Sequence, residues 1–190
     1  MFRWHSNAAG CYVYLSDVST GDSIRDNPSF KNAWKPLFRC SKWFTRGWTL
    51  QELLAPNSVE FFSAEGEKLG EKKELIQEIH EITGIDIRAL QGNPLSQISV
   101  EDRMSWAERR QTKREEDAAY SLLGIFNVHL PLIYGERKKK AFIRLRKEIR
   151  EQSNEEIRAS APAQQKRRHS LDKRGPIEKR YVICDKCMRF

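Results

Sequence analysis

The chain has 190 residues, of which 39% are hydrophobic and 32% charged, and this suits one domain with a modest core plus a tail. It contains no run of about 20 apolar residues, so neither a membrane helix nor a membrane partner is expected. The net charge of +8 comes mainly from residues 158–190, where 10 Lys/Arg outnumber 3 Asp/Glu. The preceding part is nearly neutral, which argues against a specific nucleic-acid partner.

The pattern of residues 1–18 predicts the end of a helix followed by a strand. Residues 1–10 read as the end of a helix, and Cys11–Val18 is rich in Tyr and Val, as in a buried strand. Asp17 stands at the carboxyl end of that strand, where ligand-contacting residues gather in α/β sheets. The alternative is an aspartate that initiates a turn. Ser19–Pro36 reads as a surface loop.

The central stretch of the chain is Ser41–Pro56, which reads S-K-W-F-T-R-G-W-T-L-Q-E-L-L-A-P. Gly47 permits a tight turn that a residue with a Cβ would resist. The residues of Trp48–Ala55 are good helix formers, and Pro56 ends the run. Val59–Phe62 then reads as a strand.

The remainder of the folded part is predicted to be mainly helical. The helices are expected over Glu71–Thr83 with Gly84 as C-cap, after the capping box Ser99-x-x-Asp102, from Thr112-x-x-Glu115 to Gly124, and over about residues 136–152. The last of these helices carries Ala141, Phe142, Leu145 and Ile149 on one stripe.

From Ser153 the hydrophobic periodicity stops, and residues 153–190 are predicted to be a disordered basic tail. Tyr181–Ile183 forms a strand only if something pairs with it. The four cysteines are too few for a disulfide scaffold, and Cys184-x-x-Cys187 is half a zinc site, so no metal site is predicted. We expect an intracellular, cytoplasmic protein. The basic segment 165–170 adds nuclear import as a second location.

The central stretch closely resembles the heterokaryon-incompatibility (HET) domain of fungal non-self recognition proteins. Further matches follow in family order over about residues 1–150, at Met1–Trp4, Cys11–Val18, Arg103–Ala107, Glu116–Phe126 and Pro131–Glu136. The resemblance implies the C-terminal part of a HET domain over residues 1–66, its helical extension over 67–152 and the tail over 153–190. Arg137 stands where the family usually has a glycine, after Gly135-Glu136.

The segment Trp48–Leu53 is also similar to the W-C-x-x-E-L signature of Toll/interleukin-receptor (TIR) domains, which are regarded as distant relatives of HET domains. The resemblance implies an α/β fold, namely a partial TIR- or flavodoxin-like unit, followed by the mainly helical extension. It makes Glu52 the candidate catalytic residue, with NAD as substrate and no other cofactor. Breaking the nicotinamide–ribose bond builds an oxocarbenium-like centre that a carboxylate stabilises. The alternative is that Glu52 only bonds a neighbouring turn.

Three further residues are candidates for ligand binding. Arg46 offers bidentate donors for a phosphate, its alternative being an ion pair with Glu52 or Asp117. Trp48 offers a face for nicotinamide or adenine, its alternative being core packing. Asp17 is the third candidate.

By resemblance, the function is that of an effector in fungal vegetative incompatibility, where non-self recognition leads to programmed cell death. One alternative is a scaffold without enzymatic activity that acts through protein partners or self-association. Another is a truncated, inactive family member. The family usually carries an upstream strand with an Asp and paired cysteines, and this sequence begins with the segment that follows that strand.

Overall fold

The computed structural model describes residues 2–21, 33–160 and 181–183, and within them a small mixed sheet is followed by a series of helices. The strands are β1 (Gly10–Tyr14), β2 (Val59–Phe62), β3 (Lys68–Glu71) and β4 (Tyr181–Ile183). The helices are α1 (Phe2–Ser6), α2 (Lys35–Arg39), α3 (Thr49–Leu54), α4 (Ile76–Thr83), α5 (Ile87–Leu90), α6 (Val100–Ser105), α7 (Asp117–Tyr120), α8 (Leu123–Phe126) and α9 (Arg137–Ser160). Short 3₁₀ helices cover Lys42–Thr45 and Leu95–Gln97.

The sheet has the order β3-β2-β1-β4. Strand β1 pairs in parallel with β2 on one side and with β4 on the other, whereas β2 and β3 are antiparallel. Val13 lies opposite Phe61 in the register of β1 and β2, and both side chains are fully buried. The connection from β1 to β2 carries α2, the first 3₁₀ helix and α3, as a parallel pair requires a long crossover.

An aromatic cluster fixes that crossover on the sheet. Phe38 of α2 meets Phe61 of β2 edge to face, with ring centroids 5.2 Å apart. Trp43 meets the same ring at 5.7 Å, and Phe38 meets Phe44 at 5.1 Å. Such edge-to-face pairs add directional preference to the burial of large apolar surfaces. The cluster therefore sets where α3 begins relative to the sheet.

Helix α9 packs on the part of the chain around α7. Ala141, Leu145 and Ile149 form its buried stripe, as the sequence predicts. The turn before α9 is held by Glu116, whose Oε1 accepts hydrogen bonds from the backbone N–H groups of Gly135 (2.8 Å) and Arg137 (2.9 Å). Arg137 has a φ of +67° in this turn, a left-handed conformation that favours glycine and costs other residues about 1–2 kcal/mol.

Most of the local predictions are confirmed. The helix before Pro56 is α3, the following strand is β2, Gly84 ends α4 with a φ of +68°, and the Ser99 hydroxyl accepts from the Asp102 N–H at 3.0 Å. The fold class, α/β followed by mainly helical structure, is confirmed at this coarse level. The finer likeness to a TIR- or flavodoxin-like unit stays a prediction, as do the domain boundaries.

Other predictions need correction. The helix expected from Thr112-x-x-Glu115 to Gly124 is two short helices, α7 and α8, and strand β3 was not predicted. The predicted disorder from residue 153 onwards is wrong for residues 153–160, because α9 continues to Ser160. Tyr181–Ile183, which was expected to form a strand only with a pairing partner, is strand β4 and pairs with β1. The rest of the predicted tail, with the segment 165–170 and the Cys184-x-x-Cys187 motif, lies outside the described residues.

One prediction concerns Glu65 in the turn between β2 and β3. Hydrogen bonds from the Ser19 hydroxyl (2.6 Å) and the Thr20 N–H (3.0 Å) hold the pKa of Glu65 at about 2, well below its usual value. A lowered folded-state pKa stabilises the fold fully above the unfolded pKa near 4.5, and this contribution is lost as the pH falls towards 2. We expect Glu65→Gln to be less stable than wild type at pH 7, with the gap closing between pH 4.5 and pH 2.

Urea titrations across that pH range measure the gap, with Glu108→Gln, a change at an exposed carboxylate, as the control. A gap that stays constant down to pH 2 would show that the carboxylate charge of Glu65 does not stabilise this turn.

Candidate functional site

The candidate catalytic helix α3 is buried along its whole length, because all six residues of Thr49–Leu54 are shielded from solvent. Its last turn is capped by Lys72, whose Nζ donates to the carbonyl oxygens of Leu53 (3.1 Å) and Pro56 (2.7 Å). Burial lowers the pKa of Lys72 to about 8. A cation at the carboxyl end of a helix complements the helix dipole, so Lys72 fixes this end of α3.

Arg110 fixes the other end of α3. Its guanidinium Nη1 donates to the Arg46 carbonyl oxygen and to the Thr49 hydroxyl, both at 2.9 Å. Its Nε donates to the Trp106 carbonyl oxygen at 3.2 Å. Arg110 is only 7% exposed, and burial lowers the pKa of its guanidinium to about 10. One charged side chain thus joins the segment after α6 to the turn that begins α3.

The same two segments approach each other closely along the backbone. The Gly47 N–H donates to the Gln111 carbonyl oxygen at 2.9 Å, and the Gln111 N–H donates to the Thr45 carbonyl oxygen at 2.6 Å. A Cβ at Gly47 would lie 2.3 Å from the Thr112 Cγ2. This close approach to Thr112 explains why position 47 is a glycine. The φ of Gly47 is not positive, so the tight turn expected from the sequence does not explain it.

Glu52 lies in the first turn of α3 and is 4% exposed. Its negative charge favours the protonated form of Arg110 and so opposes the effect of burial on the pKa of that guanidinium. Glu52 is on the wall of none of the three cavities described below. The carboxyl group of Glu52 is thus buried and interacts electrostatically with the buried guanidinium of Arg110.

Asp17 lies near the end of β1, as the sequence predicts, and it binds the start of the first 3₁₀ helix. Its Oδ1 accepts from the Ser41 hydroxyl at 2.8 Å, and its Oδ2 accepts from the Lys42 N–H at 2.7 Å. The Ser41 hydroxyl in turn accepts from the Trp43 N–H at 3.3 Å. These bonds reach 24 and 25 residues along the chain, so Asp17 anchors the start of the first 3₁₀ helix to the end of β1.

Arg46 and Trp48 flank Gly47 and are both partly buried. The Arg46 carbonyl oxygen accepts from Arg110 and from the Thr49 hydroxyl, at 2.9 and 2.8 Å. The Trp48 side chain is on the wall of a cavity of about 320 Å³. All four candidate residues are therefore in, or bonded to, the segment that runs from Ser41 to the end of α3.

The sequence did not single out Arg110. It follows Arg109 in a polar run, Glu108–Gln111, that resembles a solvated turn, and Arg109 is indeed exposed. Two of the three acceptors of Arg110 are 61 and 64 residues away along the chain, so no local spacing signals their proximity.

Three cavities border these elements. A cavity of about 440 Å³ has the side chains of Arg39, Arg109 and Arg110 on its wall, together with Glu81 and Glu108. A cavity of about 760 Å³ lies between α1, the loop after α5 and the second half of α9. The cavity of about 320 Å³ is separate from the first and shares Phe2, Arg3, Gly124 and Asn127 with the second.

Within residues 2–21, 33–160 and 181–183, the His, Cys, Asp and Glu side chains form no cluster of three that could hold a metal ion. In the same part of the chain, no helix combines the length and the apolar character that crossing a membrane requires.

The fold alone does not assign the chain to a class of proteins, but comparison with known proteins does. No family model matches the sequence, and no solved structure matches the chain. Sequence similarity identifies it as a protein of the fungal heterokaryon-incompatibility type. It is 53% identical over 184 residues to the vegetative incompatibility protein HET-E-1 of Podospora anserina. The match covers 95% of this chain and 13% of HET-E-1, so the chain corresponds to a small part of that relative.

Proposed function

We propose that the chain acts in heterokaryon incompatibility as part of a HET domain, an effector that turns recognition of a genetically different partner into programmed cell death. The observation that carries this proposal is the 53% identity to a vegetative incompatibility protein over nearly the whole chain. In this proposal, residues 1–66 are the C-terminal part of the HET domain, with a partial TIR-like unit, and residues 67–152 are its helical extension.

The chemical activity that we propose for this effector is NAD cleavage at the nicotinamide–ribose bond. Glu52 supplies the carboxylate that stabilises the positive charge on the ribose as the bond breaks. The low exposure of Glu52 supports this role, because a charge in a water-poor site acts more strongly than one in solvent. On the wall of the cavity of about 440 Å³, Arg39 is paired with Glu81 and Arg110 donates to protein acceptors, so the exposed Arg109 is the guanidinium donor that we propose for the phosphates of the substrate.

A scaffold without enzymatic activity is the second candidate, and two observations favour it. Glu52 is 4% exposed, so a substrate reaches its carboxylate only if neighbouring groups move. The consecutive residues Leu132, Ile133 and Tyr134 are 52%, 48% and 44% exposed, which gives the surface an apolar stretch suited to a protein partner or to self-association.

Glu52→Gln separates the two candidates, because it keeps the shape of the side chain and removes its charge. If the carboxylate stabilises the ribose cation, NAD turnover by the purified chain should fall by about 10²–10³-fold. Nicotinamide release is the measurement, and a melting curve shows whether the variant is folded. Glu101→Gln, at an exposed carboxylate that lies on none of the three cavity walls, is the matched control and should turn over NAD like wild type.

A cell-death assay in a fungal host completes the experiment. Loss of turnover and of cell death together, in a folded Glu52→Gln protein, supports catalysis by Glu52. Cell death that persists in that folded variant refutes the catalytic role. Cell death in a wild type that releases no nicotinamide favours the scaffold.

A further inference from the structure

The outer face of α9 is the side of that helix opposite its buried stripe. Ala141, Leu145 and Ile149 are buried at helical spacing, so the residues half a turn away from them are directed into solvent. Six residues on that side are all exposed, and we define the outer face by them: Lys139, Lys140, Ile143, Arg146, Lys147 and Arg150. With a rise of about 1.5 Å per residue, this face is about 16 Å long.

Five of the six side chains carry a positive charge, and little in the structure compensates it. Within the described part of the chain only Lys147 has an ion pair, and its Nζ lies 3.7 Å from Oε1 of Glu151. Both side chains are mainly exposed, and such a surface pair contributes little. Arg144, on the flank of the same helix, is by contrast paired with Glu136 and donates to the Pro131 carbonyl oxygen at 2.8 Å. The outer face is therefore a positive surface that the described residues do not neutralise.

Ile143 lies in the middle of this positive face and is 57% exposed. The backbone of a polynucleotide would match the surrounding cations, but it offers an aliphatic side chain no apolar surface. An anionic bilayer offers both, because its headgroups carry negative charge and the acyl region begins just beneath them. Cations around one exposed aliphatic side chain therefore favour a lipid surface over a polynucleotide.

We propose that the outer face of α9 binds the surface of a membrane that contains anionic phospholipids. The helix lies parallel to the bilayer, the five cations contact the headgroups, and Ile143 is directed towards the acyl region. Clusters of about four to eight Lys and Arg are typical of such binding, and each contributes about a fivefold factor to the binding constant. The sequence predicted no membrane partner because it has no apolar span, but binding at the surface needs none.

This binding surface goes beyond the proposed function and does not depend on it. No residue of the outer face is on the wall of any of the three cavities, and Glu52 belongs to another helix. A chain without NAD turnover can therefore still bind a membrane, and a catalytic chain can fail to bind one.

The first experiment is cosedimentation of the purified chain with large unilamellar vesicles. Phosphatidylcholine vesicles with about 30 mol% phosphatidylserine should bind at least about 100-fold more tightly than vesicles of phosphatidylcholine alone, because only the former are anionic. Raising NaCl to about 0.5 M should remove most of this difference by screening. Equal binding to the two kinds of vesicle, or binding to neither, overturns the proposal.

A double variant locates the binding on α9. Lys139→Gln combined with Arg146→Gln removes two cations from the outer face and should lower the binding constant about 20- to 30-fold. Lys42→Gln combined with Lys73→Gln is the matched control, because both lysines are exposed, lie outside α9 and change the net charge equally. The control should bind within about twofold of wild type, since distant charges are screened. Equal losses in the two variants would mean that binding follows net charge alone, the basic tail included, and would overturn the assignment.

A third variant tests the contact of Ile143 with lipid. Tryptophan favours the interface of a bilayer, so Ile143→Trp should bind the phosphatidylserine vesicles severalfold more tightly. Leu37→Trp, at a 45% exposed position of α2, is the control and should bind like wild type. Unchanged affinity of Ile143→Trp overturns the lipid surface as the partner. Duplex DNA that binds wild type but not the Lys139/Arg146 variant, while vesicles bind both, would assign the face to nucleic acid instead.

Discussion

Leu145→Asp is expected to lower the free energy of unfolding by more than about 4 kcal/mol, enough to unfold a domain of ordinary stability. Leu145 is fully buried in the stripe of α9 that faces the region of α7. The substitution puts a carboxylate into this apolar contact without a partner, and burying an unpaired charge is among the most destabilising changes known. Urea denaturation followed by circular dichroism gives the difference in free energy.

The control for this prediction lies two residues earlier on the same helix. Ile143 is 57% exposed, so Ile143→Asp places the same carboxylate in water and should change stability by less than about 0.5 kcal/mol. The two variants differ in helix propensity by only about a few tenths of a kcal/mol, so the difference between them reports mainly burial. Equal unfolding midpoints would mean that α9 does not pack through this stripe.

The boundaries of α3 and β2 could be predicted from the sequence because local rules determine them. A run of helix formers ends before Pro56, and a short apolar run follows. The same holds for the cap at Ser99, where the capping residue and the N–H that it accepts from are three positions apart. Elements of this kind depend on residues near one another in the chain.

The division between α7 and α8 could not be predicted, because a distant residue causes it. In a continuous helix the Ser121 carbonyl oxygen would accept from the Ile125 N–H. Here it accepts from the Gln51 side chain, 70 residues away, and the Ile125 N–H donates to the Leu122 carbonyl oxygen at 3.0 Å. The side chains between Ala118 and Leu123 keep a helical pattern throughout, so the sequence gives no signal of the break.

The candidate site shows the same division between local and distant causes. Glu52 could be singled out because it falls inside a motif of adjacent residues. Arg110 could not, since of the hydroxyl and two carbonyl oxygens that accept from it only the Trp106 carbonyl oxygen is near it in the chain. Two of these acceptors, in Arg46 and Thr49, belong to the central stretch, so the best-recognised part of the sequence is stabilised by a residue outside it.

The second large loss of stability is expected for a substitution of Arg110, because of the hydrogen bonds that its guanidinium donates. Arg110→Met keeps much of the aliphatic stem and removes the guanidinium, so the Trp106 carbonyl oxygen loses its donor and Glu52 loses a nearby buried positive charge. Removing one member of a buried charge pair typically costs about 3–5 kcal/mol, and we expect a loss in this range. Arg109→Met is the matched control, because Arg109 is exposed and precedes Arg110 directly.

The charge attraction between Arg110 and Glu52 can be measured separately by a double-mutant cycle. If the two buried charges stabilise each other, Glu52→Gln combined with Arg110→Met should cost at least about 1 kcal/mol less than the sum of the single variants. Urea titrations of wild type, both single variants and the double variant give the four free energies. Additive losses would mean that the side chains of Glu52 and Arg110 do not stabilise each other in the fold. The positive coupling that we expect would instead mean that the carboxylate of Glu52 is stabilised by the same arginine that joins the segment after α6 to the turn that begins α3.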